Sequence, residues 1–168
     1  MQTTHENNKF STKKHAITLV CDHITSAANV GSLFRMADAL GIEQIIFCGK
    51  QLPKFSKRME KTARSTHQFV PFLIEENIET ILDHLHLNKY HSVALEITNK
   101  SAPLEKTDFT HIKKIALIIG DENFGVSETV LKKVTLILHI TMYGNNSSMN
   151  VAQATGIALY EIVKQWNF

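Results

Sequence analysis

The sequence predicts an α/β fold in which a mostly parallel β-sheet is covered by helices on both faces. Short apolar segments typical of buried strands alternate with segments whose apolar residues recur every three or four positions, as in amphipathic helices. No internal repeat or linker-like segment interrupts this alternation. Alternating strands and helices favour a parallel sheet, because a crossover helix is the usual connection between parallel strands.

Five segments have the apolar pattern of strands: residues 16–21, 44–48, 92–97, 114–119 and 136–140. A shorter segment, residues 68–71, fits an edge strand, where the missing N–H of Pro71 is tolerated. Residues 99–110 are predicted to form a loop.

Helical spacing predicts four helices between and after these strands. The first contains Val30 to Leu40 and ends at Gly41, which suits the left-handed conformation common after a helix. The second covers residues 78–85, and a brief third covers residues 127–133. The fourth follows Asn150, and both Ser148 and Asn150 are residue types that cap helix N-termini.

Length and composition indicate one domain. The chain has 168 residues, of which 43% are hydrophobic and 20% charged, as in ordinary globular proteins. We expect the polar residues 1–14 to form a disordered tail and residues 15–168 to form a single domain. No signal-peptide pattern or long apolar segment is present, so we expect a cytoplasmic protein.

The metal-ligating residue types do not form a known metal-binding pattern. Cys21 and Cys48 each end an apolar segment, so we expect two buried free thiols. The nine histidines form no HExxH or Cys-spaced pattern, and we expect no metal.

Three polar loops follow predicted strands: residues 22–29, 120–125 and 143–150. In open parallel sheets ligands bind beyond the carboxyl ends of the strands, so these loops are predicted to converge. The sequence lacks GxGxxG, GxxxxGK[ST] and GxSxG, which argues against a common dinucleotide enzyme, a P-loop NTPase and a serine hydrolase.

Basic residues are concentrated after the second predicted strand. The cations are Lys50, Lys54, Lys57, Arg58, Lys61 and Arg64, with Glu60 as the single acid among them. This run fits either a solvated surface or a loop that binds an RNA backbone, and Phe55 could stack on a base there.

Three blocks of sequence resemble the motifs of the TrmH/SpoU-like RNA ribose 2′-O-methyltransferases of the SPOUT superfamily. The blocks are NVGSLFR (29–35), IALIIGDENFGVS (115–127) and ITMYGNNSSMNVAQATGIA (140–158). The resemblance extends over residues 17–163. It implies transfer of a methyl group from S-adenosylmethionine to a ribose 2′-hydroxyl, with S-adenosylhomocysteine as product and no metal.

The resemblance also implies features that local patterns do not predict. The family's C-terminal segment passes through a loop to form a deep trefoil knot, here over roughly residues 117–160, an exception to the rule that chains avoid knots. The family forms homodimers in which one subunit completes the site of the other. The cofactor-binding positions implied are Leu95, Glu96, Ile97, Gly120, Gly125, Ile140, Met142, Ser148 and Met149.

The catalytic positions implied by the resemblance are Arg35, Asn29, Glu122, Ser148 and Asn150. Because a guanidinium hardly deprotonates, we expect Arg35 to clamp a phosphate and stabilise the developing alkoxide rather than act as a base. Asn29, Ser148 and Asn150 would orient Arg35 and the ribose, and Glu122 would hold Asn29 or Arg35 in place.

Alternative interpretations remain for these residues and for the substrate. Asn29 and Ser26 could cap the first helix, and Arg35 could be a surface residue with a packed alkyl stem. We expect tRNA as the substrate, with rRNA as the alternative. A catalytically inactive knotted RNA-binding protein is a further alternative, but it would not need all five catalytic positions.

Overall fold

The computed structural model describes residues 11–51 and 55–167. Its sheet has seven strands in the order β3-β2-β1-β6-β4-β7-β5, and all of their pairings are parallel. The strands are β1 (His15–Asp22), β2 (Ile42–Cys48), β3 (Phe72–Glu75), β4 (His91–Leu95), β5 (Ala102–Pro103), β6 (Ile115–Gly120) and β7 (Leu136–His139). The prediction of a mostly parallel α/β sheet is confirmed.

The helices cover both faces of the sheet, as predicted. They are α1 (Ala27–Ala39), α2 (Lys57–Ala63), α3 (Ile78–Leu87), α4 (Glu128–Lys133) and α5 (Val151–Asn167). One core cluster joins the sheet to α1, α2 and α5, and the other joins it to α3 and α4. Because helices cover both faces, all six residues of the central strand β6 are buried, which explains its continuous apolar sequence.

The prediction of a strand at residues 68–71 is wrong. Residues Thr66–Gln68 form a 3₁₀ turn, and the edge strand begins only at Phe72. The carbonyl of Pro71 accepts a hydrogen bond from the Ile45 N–H, so Pro71 leads into the strand without needing an N–H of its own.

The prediction of a loop throughout the basic region is also wrong. Helix α2 lies within it, capped by the Ser56 hydroxyl, which accepts a hydrogen bond from the Met59 N–H. Only Met59 and Ala63 of this short helix are buried, and two apolar positions are too few to reveal a helical period.

Two other predicted loops contain regular structure. Strand β5 and a 3₁₀ turn (Leu104–Lys106) lie within residues 99–110. Asp22 belongs to β1 and α1 begins at Ala27, so Asn29 lies in the first turn of a helix rather than in a loop.

Both cysteines are free and buried, as predicted. Burial, together with the nearby carboxylates of Asp22 and Glu75, raises the pKa of the Cys48 thiol to about 12. Burial likewise raises the pKa of Cys21. Neither thiol can therefore serve as a nucleophile near neutral pH.

Two kinds of feature are absent from the described part of the chain. None of its helices is long and apolar enough to cross a bilayer. It also contains no group of three or more His, Cys, Asp or Glu side chains arranged to hold a metal ion. Residues 1–10 of the predicted tail and Lys54 of the predicted RNA-binding set lie outside the described residues.

Candidate active site

The side chain of Asn150 joins the three polar regions at the carboxyl end of the sheet. Its Nδ2 donates to Asn29 Oδ1 (3.0 Å) and to Glu122 Oε1 (2.7 Å). Asn29 lies 121 residues away in sequence and Glu122 lies 28 away. The segments that carry the three sequence blocks therefore converge at one point.

Asn150 is also the N-terminal cap of α5. Its Oδ1 accepts hydrogen bonds from the N–H groups of Ala152 (3.0 Å) and Gln153 (3.2 Å). These two bonds fix the orientation of the amide, so its NH₂ group must face Asn29 and Glu122. Asn150 thus caps α5 with its side-chain oxygen and binds Asn29 and Glu122 with its side-chain nitrogen, so the capping role and the site role are compatible.

Asn29 does not cap α1. It is buried inside the first turn, where its Oδ1 accepts the bond from Asn150. Ser26 occupies the cap position without a side-chain bond to the helix. Glu122, expected to hold Asn29 or Arg35, instead bonds Asn150, which in turn holds Asn29.

The turn after β6 has a tightly constrained backbone. Asp121 Oδ1 accepts from the N–H groups of Asn123 (2.8 Å) and Phe124 (3.3 Å), and the Asp121 carbonyl accepts from the Gly125 N–H (2.8 Å). A Cβ at Gly120 would lie 2.1 Å from the carbonyl carbon of Gly125, so no side chain fits there. Gly125 has φ +67°, a conformation that favours glycine.

Two carboxylates fasten the end of this turn from opposite sides. Strand β6 lies between β1 and β4, and an acid stands at the end of each neighbour. Glu96 Oε2, just after β4, accepts from the Val126 N–H (2.8 Å), and buried Asp22 Oδ2, at the end of β1, accepts from the Ser127 N–H (2.9 Å). We call Asp22 and Glu96 the carboxylate clamp.

The other oxygens of the clamp are also bonded. Glu96 Oε1 accepts from the Ile97 N–H (2.9 Å), and Asp22 Oδ1 lies 2.6 Å from His23 Nδ1. An added Cβ at Gly125 would lie 2.3 Å from Glu96 Oε2, so the clamp requires glycine at that position. The Glu96 side chain thus shapes the site by holding backbone.

A cavity of about 480 Å³ opens beside the turn, within the usual size range of small-molecule sites. All nine positions implied for the cofactor line it: Leu95, Glu96, Ile97, Gly120, Gly125, Ile140, Met142, Ser148 and Met149. Glu122 lines it as well, so the Asn150 network lies at its edge.

Residues 16–160 match the family model described as the SpoU rRNA Methylase family. The chain belongs to the SpoU family. It is 28% identical to the 23S rRNA (guanosine(2553)-2′-O)-methyltransferase RlmP of Bacillus subtilis over 146 residues. This aligned region covers 86% of this chain and 56% of the relative. The chain is 28% identical over 151 residues to the 23S rRNA (guanosine-2′-O-)-methyltransferase RlmB of Acinetobacter baylyi, covering 89% of this chain and 60% of the relative.

The SpoU chain thus spans less than two thirds of the length of these curated relatives. Among solved structures, a TrmH/SpoU tRNA modifying enzyme of A. aeolicus superposes with a TM-score of 0.83 at 26% identity, covering 93% of this chain and 78% of the other. The SpoU methyltransferase AviRb of Streptomyces viridochromogenes, in complex with AdoMet, has the same fold, with a TM-score of 0.81 at 24% identity over 91% of this chain and 61% of the other.

Arg35 of the SpoU chain lies apart from the Asn150 network. It is exposed on α1 and forms no ion pair with the residues that the structure describes. Its neighbour Met36 packs against α5, where a Cβ at Gly156 would lie 2.8 Å from the Met36 Sδ. Arg35 therefore directly precedes a residue of α1 that approaches α5, and its exposed guanidinium is accessible to another molecule.

Ser148 is exposed and lines the cavity. Its backbone N–H makes a long contact of 3.4 Å with Asn146 Oδ1, and its hydroxyl has no hydrogen bond to the described residues. The hydroxyl of Ser148 is therefore available to a ligand in the cavity.

Four of the predicted RNA-binding cations lie on or next to α2 and are exposed: Lys57, Arg58, Lys61 and Arg64. Lys50, in the segment after β2, is exposed as well. Helix α2 packs on α1 so closely that a Cβ at Gly31 would lie 2.7 Å from the Met59 carbonyl oxygen. The cations therefore share the face of the sheet that carries Asn29 and Arg35.

Three residues that shape or line the site are absent from the predicted set of site residues: Asp22, Asp121 and Phe124. Asp22, predicted to begin a loop, ends β1, and an acid directly after an apolar segment is a signal for a strand-end site. Asp121 lies in the loop predicted at residues 120–125, and its side chain and carbonyl accept the hydrogen bonds that form this turn. Phe124 lines the cavity while 90% exposed, and an aromatic residue in a turn was the signal for it.

Proposed function

We propose that this chain transfers a methyl group from S-adenosylmethionine to a ribose 2′-hydroxyl of RNA. The observation that carries the proposal is the Asn150 side chain, which joins Asn29 and Glu122 at the edge of the cavity. Membership of the SpoU family supports it, as do the 2′-O-methyltransferase names of the two curated relatives.

The cavity suits this cofactor. Apolar Ile140, Met142 and Met149 can enclose an adenine ring, and constrained strand-end backbone offers hydrogen-bonding groups. The carboxylates of Asp121 and Glu122 also line the cavity, and negative charge favours the ammonium and sulfonium groups of the ligand. When bound, S-adenosylmethionine supplies an electrophilic methyl group and leaves as S-adenosylhomocysteine.

The residues around the cavity would position the RNA and help its hydroxyl lose a proton. Arg35 stays charged, clamps the neighbouring phosphate with its planar fork and stabilises the developing alkoxide, while the proton passes to phosphate or water. Asn29 and Asn150, held in one orientation by Glu122, direct the ribose, and Ser148 offers its hydroxyl. Holding the reacting atoms in line is the main contribution expected of these groups.

The active form that we propose is a homodimer. Ile157 and Tyr160 of α5 are 45% and 61% exposed. Together with Tyr143 they line a second, open cavity of about 800 Å³. Such an apolar helix face favours burial against another subunit. Met36, the neighbour of Arg35 in α1, packs against Gly156, which also lines this cavity, so a second copy packed there would lie near the segment of α1 that carries Arg35.

We propose tRNA as the substrate and a cytoplasmic location. The tRNA assignment is supported by the similarity to the A. aeolicus TrmH/SpoU tRNA modifying enzyme. The alternative, rRNA, is supported by the names of the two curated relatives.

The deciding experiment measures transfer of labelled methyl from S-adenosylmethionine to unmodified total tRNA and, separately, to ribosomal RNA. Nucleoside analysis then identifies the product. A 2′-O-methylated nucleoside from either pool is the expected result, and the pool that yields it identifies the substrate class. If cofactor binding is measurable but neither pool accepts methyl, the proposal is overturned in favour of an inactive RNA-binding relative.

A further inference from the structure

The large apolar side chains exposed on the described surface fall into three groups and one isolated residue. Ile97 and Phe124 line the cavity beside the turn, and Tyr143, Ile157 and Tyr160 line the surface of α5. Leu87 stands alone. The remaining group belongs to neither surface and consists of Phe55, Phe69, Phe72, Leu73 and Ile74.

Three of these side chains are phenylalanines, which we call the aromatic patch: Phe55, Phe69 and Phe72. Phe69 follows the turn whose His67 ring lies 6.2 Å from Phe34, the buried ring that Phe55 and Phe72 also contact. The Phe55 and Phe72 rings stack with centroids 5.0 Å apart. Each also contacts the buried ring of Phe34, at 6.3 Å and 5.5 Å respectively. The two rings are therefore held by the core, so presenting them to a ligand costs little conformational entropy.

Phe69 is the most exposed member, with 70% of its surface accessible. It follows the 3₁₀ turn Thr66–Gln68, and its N–H donates to the Thr66 carbonyl (3.0 Å), which fixes its backbone. Its neighbour Val70 is buried, so the chain is anchored immediately beyond the exposed ring. A phenyl ring that is largely exposed on anchored backbone is suited to stack on a base.

The charge around the patch selects the partner. The chain between Phe55 and Phe69 carries Lys57, Arg58, Lys61 and Arg64 and a single acid, Glu60. None of these four cations forms an ion pair within the part of the chain that the structure describes. Exposed aromatic rings interleaved with unpaired cations match the way proteins bind single-stranded nucleic acid, with bases stacked on rings and phosphates beside cations.

A protein partner fits less well. The edge strand β3 has only four residues, which is short for strand addition. An apolar partner would also have to cover the cations of α2 without neutralising them. A polyanion with flat apolar bases satisfies both features of the surface.

We propose that the aromatic patch is a stacking platform for an unpaired segment of the RNA substrate, with Phe69 as its principal base contact. The inference rests on the proposed function, because it takes RNA as the substrate. Duplex RNA, whose bases are already stacked, would contact only the cations of α2. The platform thus makes the protein prefer loops or single strands.

The test measures binding of a short fluorescein-labelled oligouridylate and of a duplex RNA of equal length, by fluorescence anisotropy. Phe69→Ala and Phe69→Leu should weaken oligouridylate binding by about fivefold to 100-fold, the range for loss of one base–aromatic stack. Duplex binding should not change. Leu87→Ala, which removes an even more exposed apolar side chain on α3, is the matched control and should change neither oligouridylate binding nor duplex binding.

Phe69→Trp provides a direct readout. It should keep the affinity of the wild type, and oligouridylate should quench the emission of the new indole relative to the single native tryptophan, Trp166. Unchanged oligouridylate binding by Phe69→Ala, or an unquenched Phe69→Trp, would overturn the platform.

Two further outcomes distinguish failure of the stacking platform from failure of the proposed methyltransferase function. If the wild type methylates RNA while the Phe69 variants bind oligouridylate normally, the platform fails and the proposed function stands. If the wild type neither binds nor methylates RNA, both fail. A change of molecular mass on Phe69→Ala, seen by light scattering, would overturn the platform in favour of a contact between copies of the chain.

Discussion

Arg35 and Asn150 contribute to the proposed reaction in different ways, and single substitutions separate them. Arg35→Ala removes the phosphate clamp but leaves the cavity intact, since Arg35 does not line it. We expect methyl transfer to fall by about 100- to 1,000-fold, as for loss of one donor to a developing oxyanion. Cofactor affinity, measured by titration calorimetry, should stay the same. An equal loss of methyl transfer and of cofactor affinity would contradict the proposed role of Arg35 as a phosphate contact.

Asn150→Asp keeps the helix cap but replaces the amide donor with a second carboxylate beside Glu122. The Asn150–Glu122 bond is 2.7 Å long, so two carboxylates there must repel or share a proton. We expect methyl transfer to fall roughly 10- to 100-fold at neutral pH, the cost of losing a charge-assisted hydrogen bond. Part of it should return at lower pH, where the pair binds a proton. The measurement is a pH profile of transfer, and a profile parallel to that of the wild type would contradict the expectation.

At the scale of secondary structure elements, the close packing of α1 against α2 depends on one glycine, Gly31. A Cβ at Gly31 would lie 2.7 Å from both the Met59 carbonyl oxygen and the Thr62 Cβ. Gly31→Ala should therefore push α2 away and lower the free energy of unfolding by about 1–3 kcal/mol, the usual cost of overpacking. Gly144→Ala is the control, because nothing lies within 4 Å of a Cβ there. Equal stabilities of the two variants in urea unfolding would show that the helices can separate freely.

The charge of α2 is tested by reversing Lys57 and Arg58 to glutamate. If both cations contact phosphate, the slope of log affinity against log salt should become shallower by roughly 1.4 for single-stranded RNA. The control reverses Lys89 and Lys113, exposed residues at the amino ends of β4 and β6, opposite the cavity. An unchanged slope in the Lys57 and Arg58 variant would exclude α2 from the RNA contact.

How far the sequence predicted each element depended on its length and burial. The apolar strands and the helices α1, α3 and α5 show clear periodicity, and their positions were predicted to within a few residues. Helix α2 has seven residues with two buried, and β5 has two residues, so neither produces a readable period. The Asn29–Asn150 bond joins residues 121 apart, and no local pattern encodes such a contact; only the resemblance pointed to both residues.

For the whole molecule, the main prediction concerns assembly. Tyr160→Glu places a charge in the middle of the apolar face of α5, so we expect a monomer in light scattering and loss of methyl transfer. Leu87→Glu places the same charge at an exposed site away from that face and should leave both properties unchanged. A dimeric Tyr160→Glu would exclude α5 from the subunit contact. The trefoil knot implied by the resemblance stays a prediction.

The carboxylate clamp also bears on the order of events during synthesis and folding. The Asp22–Ser127 bond joins residues 105 apart, and Glu96 reaches across to Val126 from the other neighbouring strand. The end of the turn beside the cavity is therefore fastened at Val126 and Ser127 only after β1, β4 and β6 have all paired. The cavity also takes part of its lining from Ile140, Met142, Ser148 and Met149, beyond the last sheet strand β7, so a growing chain cannot form the ligand site until that segment has left the ribosome. Ligand binding is consequently a late signal that reports a completed sheet.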